Sequence, residues 1–355
     1  MTEKKETKKG LNIPLALPRR NEIPDKGIKV LAGDIGGTKT HLAIFEATRA
    51  GISMVTDTKY HSGRYKTLEE IIRSFLADTK LQPERICLGV AGPVLNGKVD
   101  LTNLNWELDC RSMARDLGIP QVSLINDLEA TAYGLAGLEA EDVICLLPGD
   151  PASKGNMAIL APGTGLGEAG LFWNGHSYHP FPTEGGHCDF SPRTGMDMEL
   201  CQYLQSKYKV VSWESVICGP GIYDIYRFLR DVQKREEPPF LSDNPEMQQH
   251  PSAAISTAAI ERTSAICMET MDLWVRYVAH ECANLVLKLK ATGGLFLGGG
   301  IPPKVAPLLQ EPIFYQHYMD CDRMEHLLEK VPIHIIRKDA TALMGAAMYG
   351  AYGDW

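Results

Sequence analysis

The sequence predicts an α/β protein of two domains, and three observations support that prediction. The chain has 355 residues, about twice the roughly 150 residues typical of one domain. Its composition, 44% hydrophobic and 23% charged, is typical of a globular chain that can bury two cores. Apolar strand-like runs that end in glycine turns alternate with amphipathic helical stretches, as expected where helices cover sheets.

The first domain is predicted to open at Ile28 with a strand, a glycine turn and a second strand, IKVLAGD-IGGTK-HLAIFE. The apolar run 86–91 and residues 122–125 are predicted strands, and a helix is predicted to start near Asp127. Between the hairpin and residue 86 we expect an amphipathic helix. Its apolar residues follow the i, i+3, i+4, i+7 spacing of one helix face: Leu68, Ile71, Ile72, Phe75 and Leu76.

The second domain repeats this opening. The segment MAILAPGTGLGEAGLFW is again strand, glycine turn and strand, which indicates an internal duplication. We then expect a polar surface excursion over 234–251, a long helical stretch over 252–290 and the strand GLFLGGG. A proline-started helix after Ile301, the strand VPIHII and an alanine-rich helix over 339–351 follow, and the last helix is expected to return to the first domain.

These elements give predicted domain boundaries. Residues 1–27 are polar and then proline-spaced, so they are expected to form a flexible N-terminal arm. Residues 28–126 with 339–355 form the predicted small domain, and 127–338 form the large one.

Charge and cysteine usage exclude several classes of function. The net charge of -8 gives no general attraction for nucleic acid or an anionic membrane surface. The nine cysteines are never spaced C-x-x-C, so we expect reduced thiols and no structural zinc. No apolar run approaches the roughly 20 residues needed to span a bilayer. The predicted location is therefore the cytoplasm.

Three glycine turns, at 34–38, 163–167 and 298–300, are candidates for phosphate binding. Glycine lets the backbone adopt positive φ and approach a ligand closely, and consecutive N–H groups form an anion site to which Thr38 and Thr164 could add hydroxyl donors. The alternative is an ordinary hairpin turn or a close strand crossing. The spacings match neither the dinucleotide-binding fingerprint nor the P-loop.

Asp127 follows Asn126 at the end of a predicted strand, where open α/β sheets place their ligands. Its carboxylate could take a proton from a substrate hydroxyl that attacks phosphorus. It is also well placed to cap the following helix, with Asn126 and Glu129 at a box-like spacing, and the two roles do not exclude each other.

The segment Glu184-Gly-Gly-His187 places a carboxylate and an imidazole on a glycine-rich loop, a combination suited to gripping neighbouring hydroxyl groups. A metal site there would need further ligands, and only Cys188 and Asp189 lie next to it. Glu214 is either a binding residue or an exposed glutamate in the first turn of a helix.

Seven ordered segments together resemble the bacterial glucokinase family from about Ile28 to near the C-terminus. They are AGDIGGTKT, LTNLNW, LINDLEATAYGL, APGTGLGEAG, TEGGHCDFSP, SWESVICGPG and FLGGGIPPK. The resemblance implies the actin-like (ribonuclease H-like) two-domain ATPase fold with an interdomain cleft. It also implies ATP-dependent phosphorylation of glucose at the 6-hydroxyl, with Mg²⁺ accompanying ATP, and a homodimer.

The resemblance also implies roles for individual residues. Asp127 would be the general base and would bind sugar with Asn103, Asn126, Glu184, His187 and Glu214. Asp34 would lie near hydrated Mg²⁺, and no metal would be bound by the protein's own side chains alone. The implied ATP-binding residues are Asp34, Gly36, Gly37, Thr38, Gly163, Thr164, Gly165, Gly298, Gly299 and Gly300.

Two features separate this chain from related patterns. Glu168, directly after the second glycine turn, occupies a position where an apolar residue is expected, and the clustered cysteines of the repressor/open-reading-frame/kinase sugar kinases are missing.

The rival functions are a kinase for another hexose (fructose, mannose or an N-acetylated amino sugar), a sugar-sensing regulator and a non-sugar actin-like ATPase. The regulator would need a DNA-binding module that the acidic chain does not supply. The ATPase does not explain the clustered polar residues.

Overall fold

A computed structural model describes residues 10–150, 152–242 and 245–354. The chain divides into two compact units. The first contains residues up to Asp142, Leu171–Pro182 and Lys338 onward, and the second contains Val143–Gly170 and Thr183–Arg337.

The described residues form 13 strands, which follow the chain in this order: β1 Ile28–Ile35, β2 Lys39–Ala47, β3 Ile52–His61, β4 Arg85–Val90, β5 Lys98–Leu101, β6 Trp106–Asp109, β7 Gln121–Asn126, β8 Val143–Leu147, β9 Met157–Pro162, β10 Leu166–Trp173, β11 Tyr178–Thr183, β12 Gly294–Leu297 and β13 Ile333–Ile336.

The α-helices in the described part of the chain are α1 Leu68–Thr79, α2 Cys110–Leu117, α3 Asp127–Gly134, α4 Gly195–Gln205, α5 Trp213–Ile217, α6 Gly219–Asp231, α7 Pro239–Ser242, α8 Pro245–Gln249, α9 Pro251–Ile260, α10 Ala265–Leu289, α11 Ala306–Leu309, α12 Pro312–Tyr318, α13 Glu325–Leu328 and α14 Thr341–Tyr352.

The first unit is built on a five-stranded sheet of order β3-β2-β1-β4-β7. The predicted hairpin is present, since β1 pairs antiparallel with β2, whereas β1, β4 and β7 run parallel. The predicted amphipathic helix is α1. Its buried residues belong to the apolar core on one face of this sheet: Leu68, Ile71, Ile72 and Phe75.

The opposite face of this sheet is covered by α3 and α14. The predicted return of the last helix to the first unit is therefore present. The boundary between the units differs from the predicted one at 126, because α3 packs closely on α14 and so belongs with the first unit. The two helices approach so closely that a Cβ on Gly345 would collide with the carbonyl oxygen of Ala130.

The described part of the predicted arm, residues 10–27, is packed rather than free. Its backbone N–H groups at Leu11 and Arg19 donate to the carbonyls of Leu138 and Tyr352 at 3.0 Å. Ile23 is fully buried against the first unit. The prolines thus shape a segment that follows the surface, and apolar residues between them anchor it. Residues 1–9 of the predicted arm lie outside the described residues.

The second sheet has the order β11-β10-β9-β12-β13-β8. Its first five strands repeat the order of the first sheet: three consecutive strands, then β12 parallel to β9 and β13 parallel to β12. β8 adds an antiparallel edge strand. The repeated order supports the predicted duplication.

The helical part of the second unit differs in detail from the prediction. The stretch 252–290 is two helices, α9 and α10, and Ser264 caps the second by accepting a hydrogen bond from the Cys267 N–H. The excursion 234–251 contains the short helices α7 and α8. The proline-started helix begins at Ala306. No helix among the described residues is long and apolar enough to cross a membrane.

Candidate active site

The first glycine turn joins β1 to β2 and is closed by a hydrogen bond from the Gly36 N–H to the Lys39 carbonyl at 2.9 Å. A buried serine supports it from behind. The Ser62 hydroxyl donates to the Gly36 carbonyl at 3.0 Å and lies 3.0 Å from the hydroxyl of Thr40, and the Ser62 N–H donates to the Thr38 carbonyl at 3.1 Å. Since Gly37 and Thr38 are exposed, the turn presents a free backbone edge to a ligand.

Asp34 lies on β1, two residues before this turn. Burial raises the pKa of its carboxyl, the neighbouring His41 lowers it, and Asp339 adds to the rise. Lys59 also lowers the pKa, and the half-buried carboxylate is an oxygen donor of the kind that a hard divalent cation prefers.

Asn103 lies in the exposed turn between β5 and β6. A Cβ at Gly37 would lie 3.7 Å from the Cβ of Asn103. The structure therefore brings a predicted sugar-binding residue into contact range of the predicted phosphate turn within the first unit.

Asn126, at the end of β7, caps helix α3. Its Oδ1 accepts from the N–H groups of Leu128 at 2.8 Å and Glu129 at 3.3 Å, and its amide donates to the Gly92 carbonyl at 3.3 Å. Asp127 is the first helical residue, half-buried, and its Oδ1 accepts from the Leu128 N–H at 2.9 Å. The predicted capping role of Asp127 is therefore wrong as stated, because the neighbouring asparagine is the cap.

Strand register places Asp127 near the first glycine turn. Ile35 pairs with Val90, and Val90 pairs with Asn126, across the parallel strands. With neighbouring strands about 4.8 Å apart, the ends of β1 and β7 are separated by roughly 10 Å at one edge of the sheet. Asp34, the first turn, Asn126 and Asp127 thus share that edge.

In the second unit, the second glycine turn is closed by the Gly163 N–H, which donates to the Gly165 carbonyl at 2.8 Å. Glu214, in the first turn of α5, holds this turn: its Oε2 accepts from the Leu166 N–H at 2.8 Å. A Cβ on Gly165 would lie 2.6 Å from that oxygen. One oxygen of this predicted sugar-binding glutamate is therefore used to shape the turn, and Thr164 is exposed at its tip.

The third turn lies beside the second. A Cβ on Gly163 would be 3.9 Å from the Gly300 nitrogen, and the Gly298 N–H donates to the Leu160 carbonyl at 2.9 Å. The expected positive φ is found only at Gly299, with φ +78°, among the glycines of the three turns. Close approach of a neighbouring atom requires glycine at Gly165, and a Cβ on Gly36 would lie a tight 3.2 Å from the Lys39 carbonyl oxygen.

Glu184 and His187 are both exposed on a short turn, with the His187 N–H donating to the Glu184 carbonyl at 3.1 Å. The two glycines between them let this turn press on β10, because a Cβ on Gly185 would collide with the carboxyl of Glu168 and one on Gly186 with the carbonyl of Leu166. The Glu184–His187 turn therefore packs on Leu166, within the second glycine turn, and on Glu168 just after it.

Glu168, the residue that departs from the expected apolar pattern, is 2% exposed. Burial and, after it, the facing Glu281 raise its pKa to about 8, while Lys288 acts in the opposite direction. Glu281 accepts from Asn284 at 2.8 Å and from Lys288 at 2.9 Å. The arrangement assigns the proton to Glu168 and the negative charge to Glu281, which is paired with Lys288.

Sequence reasoning missed Ser62 and the partners of Glu168. Ser62 lies in an unremarkable HSGR segment, and Glu281 lies inside a long helix. Neither carries a local pattern, because each acts through contacts between distant parts of the chain.

The repeated strand order, with glycine turns at the strand ends and a carboxylate at the start of the helix after β7, defines the class of protein: an actin-like, two-domain ATPase fold of the sugar-kinase type. The Glucokinase family model matches residues 31–352. The chain therefore belongs to the glucokinase family.

Individual relatives agree. The chain is 39% identical over 337 residues to a glucokinase of Nostoc punctiforme, covering 91% of this chain and 98% of that protein. Among solved structures it resembles a glucokinase from an Antarctic psychrotroph, with a TM-score of 0.77 and 28% identity over 91% of this chain and 98% of the other. The fold is also that of the glucokinase of Balamuthia mandrillaris in complex with glucose, with a TM-score of 0.73, 20% identity and coverage of 92% and 94%.

Proposed function

We propose that this protein transfers the γ-phosphoryl group of ATP to the 6-hydroxyl of glucose, giving glucose 6-phosphate and ADP. Family membership over residues 31–352 supports the reaction. The observation that carries the mechanism is the position of Asp127, directly after the strand-end cap Asn126 and at the same sheet edge as the first glycine turn.

Asp127 is proposed as the general base. Its Oδ1 accepts a backbone hydrogen bond from Leu128, which orients a carboxylate that can take a proton. As the 6-oxygen forms its bond to the γ-phosphorus, the hydroxyl proton passes to Asp127 and the bond to the β-phosphate oxygen breaks.

Sugar binding is assigned to Asn103, Asn126, Glu184, His187 and Glu214. Asn103, Glu184 and His187 have exposed side chains, so their polar groups are available to sugar hydroxyls. Glu214 can offer its second oxygen, because the first holds the Leu166 N–H. Carboxylate, imidazole and amide groups together supply both acceptors and donors.

Phosphate binding is assigned to the exposed backbone of the glycine turns. The residues proposed are Gly36, Gly37, Thr38, Gly163, Thr164, Gly165, Gly298, Gly299 and Gly300. Consecutive N–H groups and the threonine hydroxyls would stabilise negative charge on the phosphates without moving during the reaction.

The surroundings of Asp34 fit a magnesium ion brought in with ATP, because its half-buried carboxyl is an oxygen donor whose pKa is raised by burial and by Asp339. When bound, Mg²⁺ neutralises charge on the phosphate oxygens. Asp34 would hold its hydration shell. A homodimer and a cytoplasmic location remain predictions.

The direct test is a coupled assay of ADP release with magnesium-ATP across glucose, fructose, mannose and N-acetylglucosamine. We expect glucose to give the highest kcat/KM, because a site built to bind a hydroxyl loses buried partners when that group is altered. A higher kcat/KM for N-acetylglucosamine would make the glucose assignment wrong. Absence of sugar-dependent ADP release with every sugar would contradict the kinase assignment.

A further inference from the structure

Helices α10 and α12 of the second unit bring two imidazoles and a carboxylate together. The groups are His280 on α10, His317 near the end of α12 and Asp320 just beyond it, and one ligand atom from each lies within 4.8 Å of the others. His280 Nε2 is 3.8 Å from Asp320 Oδ2. The two imidazole rings meet edge to face with centroids 5.4 Å apart.

One atom of this cluster lacks a partner. Among the described residues, His280 Nε2 is buried without a hydrogen bond, although His280 is only 3% exposed. A buried polar atom without a partner is costly and calls for a ligand. The imidazole nitrogen Nε2 is therefore the atom of this cluster that a ligand would satisfy.

The other two groups, His317 and Asp320, are held at a fixed spacing by a backbone hydrogen bond and are accessible to solvent. The Asp320 N–H donates to the His317 carbonyl at 3.3 Å, which fixes the spacing of the two side chains. His317 is partly exposed, and 65% of the Asp320 side chain is exposed. An ion can therefore enter from this side, and water can complete its coordination.

We propose that His280, His317 and Asp320 form a binding site for a divalent transition metal of the zinc class. Two imidazoles and one carboxylate are the donor set that zinc accepts in three-ligand sites with an open fourth position. Ligand atoms at 2.0–2.1 Å from a tetrahedral zinc are roughly 3.3 Å apart. His280 Nε2 and Asp320 Oδ2, 3.8 Å apart, would move about half an ångström closer, and the other ligand pairs, within 4.8 Å, by at most about 1.5 Å.

The donor set favours zinc over magnesium, because imidazole suits zinc, copper and nickel, whereas magnesium prefers oxygen ligands. Nearby charge moderates the affinity. Arg193 lies 3.7 Å from the Asp320 carboxylate and donates to its backbone carbonyl at 2.8 Å. Arg276 is neutralised by its ion pair with Asp197. A bound ion would compete with Arg193 for the Asp320 carboxylate and would connect α10 to α12.

If occupied, the proposed site would revise the sequence prediction that the protein's own side chains bind no metal. The prediction considered cysteine spacing and the Glu184–His187 loop. The new ligands are instead separated along the chain and meet only because α12 packs on α10. The inference is independent of the proposed function, because none of the three residues belongs to the proposed sugar or phosphate sites.

The test is equilibrium dialysis of zinc chloride against the tag-free, chelator-treated full chain in the absence of nucleotide. We expect one zinc per chain bound at a site that the substitutions His317→Gln and Asp320→Asn each weaken at least ~10-fold, the lower end for disturbing a zinc centre. The substitution His326→Gln, which removes an exposed histidine on α13, should leave zinc binding unchanged.

A second readout keeps the test independent of folding. Zinc should raise the melting temperature of the wild-type chain and of His326→Gln, since a ligand that binds only the folded state stabilises it, and at the same zinc concentration should raise that of His317→Gln less. The metal-free melting temperatures verify that each variant folds. Zinc binding of equal strength in the wild type, His317→Gln and Asp320→Asn would overturn the proposal, as would a wild-type chain that binds no zinc.

Discussion

At the scale of single residues, the structure assigns helix capping to Asn126 and leaves Asp127 for the proposed proton transfer. The sequence alone allows either residue to cap the helix. Both lie at a strand end before a helix, and either could cap it. The structure gives the cap to Asn126, which accepts from the N–H groups of Leu128 and Glu129. Asp127 is then not required to start the helix, and its carboxylate can serve the reaction.

This division predicts the effect of Asp127→Asn. The substitution keeps the size of the side chain and removes its capacity to take a proton. We expect kcat to fall at least ~10²-fold, which corresponds to about 2.7 kcal/mol of lost transition-state stabilisation. The glucose dissociation constant should change only modestly, because the amide oxygen still accepts one hydrogen bond. Steady-state kinetics, glucose titration and a thermal melt measure the three quantities.

The matched control is Asp78→Asn, an exposed carboxylate on α1 in the same unit, which should keep wild-type kcat. Near-normal kcat in a folded Asp127→Asn variant would remove Asp127 from the mechanism.

Ser62 predicts a different pattern, because it shapes the first glycine turn without facing the proposed ligand. Ser62→Ala removes the hydroxyl that donates to the Gly36 carbonyl and leaves buried Thr40 without that partner. We expect a loss of about 1–2 kcal/mol in the free energy of unfolding. The KM for ATP should rise several-fold while the glucose dissociation constant stays close to wild type.

Ser53→Ala, at an exposed position on β3, is the control for Ser62→Ala. An unchanged KM for ATP in Ser62→Ala would show that the turn keeps its shape without this serine.

At the scale of elements, the start of strand β10 contacts two loops that are proposed to bind different substrates. Its start follows the second glycine turn, and Leu166 and Glu168 support Gly186 and Gly185 of the Glu184–His187 turn. Thr183 adds to this contact by donating to the Glu168 carbonyl at 3.2 Å. The buried Glu168 thus lies between the second glycine turn and the Glu184–His187 turn.

The buried acid predicts a pH dependence of stability. The Glu168 pKa is raised to about 8 from 4.5, so between these values the folded state holds a proton that the unfolded state has lost. The free energy of unfolding therefore falls as pH rises through this window, by at most about 1.4 kcal/mol per pH unit. Glu168→Gln mimics the protonated acid, so its stability should fall less steeply. Denaturant melts from about pH 5 to about pH 8 measure both slopes.

Glu261→Gln, which alters an exposed carboxylate of the second unit, should reproduce the wild-type slope. Glu281, Asn284 and Lys288 face Glu168 and are unchanged in both variants. Identical slopes for wild type and Glu168→Gln would mean that Glu168 is ionised in the folded protein.

At the scale of the whole molecule, local patterns predicted the glycine turns and the strands β1, β2, β4, β7, β9, β10, β12 and β13, but not β3, β5, β6, β8 or β11 or several of the short helices. The hairpin at Ile28, helix α1 and the start of α3 could be read from spacing alone, because their signals lie within a few residues. Features that depend on contacts between distant segments could not be read in this way. They include the packing of residues 10–27 and the unit to which α3 belongs.

The same reason separates the predicted and the missed parts of the site. Glycine turns and the Asn126–Asp127 pair are local signals. The buried support from Ser62, the proton held by Glu168 and the cluster of His280, His317 and Asp320 arise from tertiary packing, which a single sequence does not display.

The position of α14 has a consequence for how the protein is made. The apolar sheet face that includes Ala32, Ala43 and Cys87 is covered by Ala346 and Ala347 of α14, close to the end of the chain. A ribosome adding 5–20 residues per second needs roughly 10 to 40 s to pass from the end of the first segment of this unit to that helix. During this time the strands have α3 but not α14 on this face, and the second unit can fold first. Early termination of translation would therefore release a chain in which the part of this apolar sheet face that α14 covers is exposed to solvent. Chaperones bind such exposed apolar surface.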